Sequence, residues 1–273
     1  MLCFEIDLKE KYAFLDGKNR NATLTCYLPN HLNEMNIIRE KRPCILIIPG
    51  GGYKSCAERE AEPIALKFLN WGFNVFVLRY SVSPNRFPSQ LLEVAASFEE
   101  IYKNSLNWNC DIKKIGIIGF SAGGHLAAHY SNAYNCQEIR KYFANSKKPD
   151  FNVLCYPVIT TDIKYTHKNS IENLIGEYKD DARFSCEKLV TKDTPPTFIW
   201  HTAEDNIVPV MNSVCYASAL AKNNVEFSLH IYPYGAHGLA TCDNLTFEPE
   251  QINSRMCLAS NWLEELKKWL DVQ

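Results

Sequence analysis

The chain has 273 residues, 46% apolar and 22% charged, with a formal net charge of −2. That length suits one large α/β domain, and the apolar share supplies a sizeable core. No block of like charge exists to draw nucleic acid or an anionic membrane, and no apolar stretch is long enough to span a bilayer.

NATLTCYL places Leu24, Cys26 and Leu28 on one face and predicts a half-exposed antiparallel strand. CILIIPGGGY is a continuous apolar run that stops at glycines, the pattern of a strand buried on both faces. From Ala57 to Trp71 the period turns helical: Ala61, Ile64, Ala65, Phe68 and Leu69 share a face, with Pro63 in the first turn. FNVFVLRY is the next buried strand, and Leu91, Val94, Ala95, Phe98, Ile101 and Tyr102 form an amphipathic helix. KIGIIGF follows as a strand, and the small residues after Ser121 start a helix. FNVLCYP, TFIWHT and VEFSLHIYP continue the strands, a helix near 210–222 separates the last two, and ASNWLEELKKWL closes the chain as a helix. Such alternation implies a mostly parallel sheet with helices on both faces. Ligands of such sheets bind beyond the carboxyl ends of the strands.

Four strand ends carry pointed chemistry. PGGGY, Pro49 to Tyr53, lets backbone N–H groups face a cavity with no side chain in the way, and no Lys-Ser/Thr pair follows to make it a phosphate loop. GFSAGG fits G-x-S-x-G with Ser121 between Gly119 and Gly123, a sharp strand-to-helix turn that holds the hydroxyl over the sheet edge. A plain helix N-cap would explain that serine but not the flanking glycines. Beyond TFIWHT lies Asp205, an acid able to hold a histidine in one tautomer. Glu204 is its direct rival and Asp243 a weaker one; the D-x-x-V-P pattern leading into the next helix favours Asp205. His237, between Gly235 and Gly238, follows the last strand. Of the other histidines, His125 and His129 lie one turn apart in the helix after Ser121 and read as packed, and His201 reads as structural. His31, His167 and His230 have no supporting context. The chain order Ser121, Asp205, His237 is the order of an α/β-hydrolase triad.

These segments, with REAEPIALKFL and FVLRYSVSP between them, span roughly residues 43 to 240. Together they resemble α/β-hydrolase esterases of the acetylesterase and acetyl-xylan-esterase type, relatives of the hormone-sensitive-lipase-like enzymes. One departure is that Pro49 stands where the usual esterase loop begins with His. The resemblance implies an α/β-hydrolase fold over residues 1–273, with a short cap around 158–195 and the loop from Thr241 to Met256 near the pocket. It implies Ser121, His237 and Asp205 as the catalytic triad, and the N–H groups of Gly51, Gly52 and Ala122 as the oxyanion hole. The expected activity is hydrolysis of short acyl esters, acetyl foremost, of sugars or xylo-oligosaccharides through an acyl-enzyme, with no metal and no cofactor. Amide, peptide or formamide cleavage on the same fold is the alternative. A non-catalytic binding protein on the scaffold is a third reading, and such proteins usually lack a triad member.

The expected partner is a small-molecule ester, with neither nucleic acid nor membrane, and an edge strand leaves room for a homodimer. The first residues, MLCFEIDLKEKYAF, lack the basic start and apolar run of a secretory signal. Eleven cysteines, an odd number with no C-x-x-C, read as free thiols, and the expected location is the cytoplasm.

Overall fold

The structure is a computed structural model that describes residues 1–15, 21–30, 41–252 and 255–273. Its strands are β1 (Leu2–Asp7), β2 (Thr23–Leu28), β3 (Arg42–Ile48), β4 (Asn74–Arg79), β5 (Cys110–Phe120), β6 (Asn152–Cys155), β7 (Thr197–Thr202) and β8 (Phe227–Tyr232). They form one eight-stranded sheet in the order β1-β2-β4-β3-β5-β6-β7-β8. β1 and β2 are antiparallel to their neighbours, and the six strands from β4 to β8 run parallel. Helix α1 (Leu8–Lys11) follows β1, α2 (Glu62–Asn70) precedes β4, and α3 (Ser89–Lys103) precedes β5. α4 (Ala122–Ala133) and α5 (Gln137–Arg140) lie between β5 and β6. α6 (Lys168–Ile175) lies between β6 and β7, α7 (Met211–Lys222) precedes β8, and α8 (Met256–Ser260) and α9 (Trp262–Leu270) end the chain.

Strand alternation splits the core between the two faces of the sheet. Leu46 and Ile48 of β3 belong to the same buried cluster as Phe98 of α3, Leu126 of α4 and Leu220 of α7. Ile45 and Ile47 belong to a second buried cluster, with Phe68 of α2 and Trp262 and Leu266 of α9. The open, mostly parallel sheet with helices on both faces is what the alternating pattern predicts, and it is the α/β-hydrolase arrangement that the resemblance implies. Among the described residues no helix is long and apolar enough to cross a membrane.

Two local expectations need correction. β2 is not half-exposed: it lies between β1 and β4, and Thr25 and Tyr27 are buried along with Leu24, Cys26 and Leu28. β1 supplies the sheet edge instead, with too little apolar alternation to announce itself in the sequence. The polar side of α3 is also covered. Glu93 accepts the N–H of Ser81 at 2.8 Å and Gln90 donates to the carbonyls of Ser81 and Asn85, so polar residues are satisfied inside rather than solvated.

Candidate active site

The first functional position is built by the end of β5. Ser121 sits at φ 52°, ψ −119°, a conformation that costs of order 1–3 kcal/mol for a non-glycine residue. Its N–H donates to the Cys155 carbonyl at 3.0 Å, and its carbonyl accepts the N–H groups of His125 and Val158 at 3.1 and 3.0 Å, so the turn is held from both sides. The small neighbours are a matter of space. A Cβ on Gly123 would run into the carbonyls of Ile48 and Pro49, and one on Gly119 into the carbonyl of Gly123. The serine makes no capping hydrogen bond to the helix that follows. Its hydroxyl instead meets His237 Nε2 at 2.7 Å.

On the far side of that ring, His237 Nδ1 lies 2.6 Å from Asp205 Oδ2. The other oxygen, Oδ1, accepts the N–H groups of Ile207 and Val208 at 2.9 and 2.8 Å, so the loop after β7 fixes the carboxylate orientation. His201 Nε2, on β7, approaches Asp205 Oδ2 at 3.2 Å, also meets the Val208 carbonyl at 2.9 Å, and its Nδ1 meets the Ser213 hydroxyl at 2.8 Å. Reading His201 as merely structural missed this contact, which only the loop's return toward β7 creates. Burial alone would raise the Asp205 carboxyl, but hydrogen bonds from His201 and His237, the His237 charge and the Val208 N–H hold it well below the usual carboxylate range. Asp205 is therefore a buried anion aimed at an imidazole.

The rival acids lie elsewhere. Glu204 is exposed and accepts the Gly235 N–H at 3.2 Å, bracing the histidine loop from outside. Asp243 pairs with Lys67 at 2.7 Å and with the Thr241 hydroxyl.

The glycine loop lies beside Ser121. Gly51 and Gly52 have φ of 123° and 64°, which L side chains rarely adopt. The turn closes through the N–H groups of Lys54 and Ser55, both to the Gly51 carbonyl, at 3.0 and 3.1 Å. Among the described residues no hydrogen bond engages the N–H groups of Gly51, Gly52 or Ala122, the three proposed oxyanion donors. The segment around 158–195 contributes directly here: Asn173 of α6 donates to the Gly52 carbonyl at 2.8 Å.

His167 also belongs to this place, although nothing in the sequence around it said so. It lines the same cavity as Ser121 and His237 and meets the Ser170 hydroxyl at 2.7 Å. Burial and the nearby His237 charge push it below the usual histidine range. That cavity, about 270 Å³, is also lined by Lys54, Arg59 and Asn169. The described part of the loop from Thr241 to Met256 does not line it. A cavity of about 380 Å³ between Trp71, Phe151 and Leu270 lies away from these side chains, near the start of β3.

His125 and His129 are packed as expected. Both ring nitrogens of His125 are engaged, with the Tyr53 hydroxyl and the Phe184 carbonyl, each at 2.8 Å. His129 stacks against Phe87. Their spacing of one helical turn is also one that metal sites use, but here His125 ties the glycine loop to the 158–195 segment. His230 stacks on Phe198 in the sheet, and His31 lies outside the described residues.

Comparison with known proteins agrees with this architecture. The chain is 40% identical over 81% of its length to endo-1,4-beta-xylanase B of Butyrivibrio fibrisolvens. It is 30% identical over 92% of its length to the acetylxylan esterase of Xylanibacter ruminicola. It spans 36% and 49% of the length of those two relatives. The acetyl ester-xyloside bifunctional hydrolase of Caldicellulosiruptor lactoaceticus superposes with a TM-score of 0.82 at 32% identity, covering 98% of this chain and 96% of that one. A carboxylesterase of Lactobacillus plantarum superposes with a TM-score of 0.85 at 25% identity, covering 100% and 98%. The family comparison matches residues 31–220, and with it the chain is shown to belong to the BD-FAE family of α/β-hydrolase esterases.

Proposed function

We propose that the chain is a serine esterase that removes short acyl groups, acetyl foremost, from sugars or xylo-oligosaccharides. The observation that carries the reading is the continuous hydrogen-bonded line from Ser121 through His237 to Asp205. His237 Nε2 takes the hydroxyl proton as Ser121 Oγ attacks the ester carbonyl carbon. The buried Asp205 carboxylate holds Nδ1 protonated and stabilises the imidazolium. The free N–H groups of Gly51, Gly52 and Ala122 receive the oxyanion. His237 then protonates the leaving alcohol, and in the second half takes a proton from the water that releases the acid.

The substrate class is supported by two things. The relatives named above include an acetylxylan esterase and an acetyl ester-xyloside hydrolase. The cavity is small, about 270 Å³, and Lys54, Arg59 and Asn169 among its lining residues can hydrogen-bond sugar hydroxyls. If the protein works in the cytoplasm, its substrate is an oligosaccharide that has entered the cell rather than the polymer.

The test is kcat/KM across p-nitrophenyl esters from acetyl to octanoyl, run beside acetylated xylo-oligosaccharides, formamides and peptide amides. Each added methylene must find apolar surface worth about 0.8 kcal/mol or meet a wall, so activity should fall steeply beyond two to four carbons. Activity rising through octanoyl would replace this reading with a lipase-like one, and faster amide than ester cleavage with an amide-hydrolase one.

A further inference from the structure

Two loops that come from distant parts of the chain must keep a fixed distance above Ser121: the glycine loop after β3 and the His237 loop after β8. A buried side chain links them. Glu60, 2% exposed, accepts the Gly50 N–H with Oε2 at 2.7 Å and the Tyr156 hydroxyl with Oε1 at 2.8 Å. The Tyr156 oxygen in turn accepts the Ala240 N–H at 3.0 Å, and its ring packs edge-on against His237 with centroids 5.1 Å apart. Gly50 is held on its other side as well, because its carbonyl accepts the Ala57 N–H at 3.0 Å. A Cβ on Gly50 would lie 2.7 Å from Glu60 Oε2 and 2.9 Å from Ser121 Cβ, so this peptide is wedged between the carboxylate and the serine.

We propose that Glu60 is a positioning residue that couples the glycine loop to the His237 loop, through Gly50 on one side and Tyr156 on the other. The inference rests on the serine-esterase reading. It also accounts for the tolerance of Pro49 at a position where related loops carry a histidine: the loop is braced by Glu60 at Gly50 and by the Tyr80 hydroxyl, which donates to the Pro49 carbonyl at 3.0 Å. A buried carboxylate is a costly brace. Among the described residues no cation lies within ion-pair distance of Glu60, and burial pushes its carboxyl up against the pull of the Tyr156 and Gly50 hydrogen bonds and the Arg59 and His237 charges. A carboxylate keeps both partners as donors, which a neutral amide of the same shape does not.

The test is Glu60→Gln and Tyr156→Phe, singly and together. The glutamine keeps its oxygen on Gly50 and turns an N–H toward a Tyr156 oxygen that already accepts from Ala240, so the phenol proton loses its acceptor and both variants weaken the same link. Each should lower kcat on p-nitrophenyl acetate about tenfold, as a small misplacement of reacting groups does, with KM within about twofold. Affinity for a trifluoromethyl ketone, which mimics the oxyanion, should fall in parallel. The double variant should be no worse than the poorer single one. Lowered melting temperatures with unchanged kcat, or losses that multiply, would overturn the coupling. If Glu60→Gln does not fold, Tyr156→Phe carries the same test alone. A wild-type chain inert to both ester and fluorophosphonate would overturn the esterase reading and the anchor with it. A reactive wild type with equally reactive variants would overturn the anchor alone.

Discussion

Replacing Asp205 by Asn probes the proposed triad at its least exposed point, and the structure dictates which way the amide must sit. Oδ1 receives two backbone N–H groups, from Ile207 and Val208, so an amide nitrogen placed there would meet two donors. The carbonyl oxygen therefore keeps that position and the NH₂ group takes the place of Oδ2, facing His237 Nδ1 and His201 Nε2. His237 can satisfy that contact only by moving its proton to Nε2. The nitrogen facing Ser121 Oγ at 2.7 Å then carries a hydrogen and cannot accept one. Loss of the orienting acid in this way lowers kcat by roughly 10³–10⁴-fold, or about 4–5.5 kcal/mol of barrier. Folding should suffer far less, because His201 Nε2 keeps the Val208 carbonyl at 2.9 Å and a single replaced hydrogen bond is worth about 1 kcal/mol. The assay is kcat on p-nitrophenyl acetate from pH 6 to 9, paired with a thermal melt. The control is Glu204→Gln, whose side-chain oxygen can still accept the Gly235 N–H and which should change kcat by about twofold at most. Asp205→Asn retaining a tenth of wild-type kcat, or Glu204→Gln losing as much as Asp205→Asn, would refute the assignment.

Ser121→Ala and His237→Ala should each lower kcat by several orders of magnitude with a melting temperature close to wild type, and the double variant should be hardly worse than either, since the pair acts as a unit; additive losses would argue against a shared step. Acid should destabilise the fold earlier than carboxylate titration alone would, because burial lowers His125 to about 4 and burial, with the His125 charge, lowers His129 to about 3. Both folded values lie below the unfolded one, so this contribution is complete above about pH 6.5 and is lost as pH falls toward 4, on the order of 2 kcal/mol per histidine by pH 5. Urea midpoints at pH 7, 6 and 5 measure it, and a flat profile over that range would refute the buried neutral pair.

Much of the fold was legible because its signals are periodic and local. The buried runs ending in Ile48, Arg79, Phe120, Cys155 and Thr202 became strands. Pro63 stands in the first turn of α2, as its missing N–H requires. What was misread was misread for want of neighbours. The alternation in β2 suits a strand with one wet face, but β1 and β4 flank it and helices cover it, so Tyr27 is as buried as Leu28. The closing helix reads as one amphipathic run, yet it is two helices that meet at Asn261.

The proposed site divides along the same line, between residues that announce themselves by local geometry and residues defined by what they touch. Ser121 and His237 stand among glycines because the backbone there has no room or the wrong φ for anything larger, and that requirement is written into adjacent positions. Glu60 has no such mark. It lies in a run with Glu58 and Glu62, and Glu58 sits at the surface, paired with Arg79. Only the distance of Glu60 from Tyr156, ninety-six positions away, separates a buried brace from an ordinary surface charge. Asn173 on the Gly52 carbonyl and His167 in the cavity are of the same kind. A side chain that holds another in place leaves its trace in the partner, and the partner is adjacent only after folding.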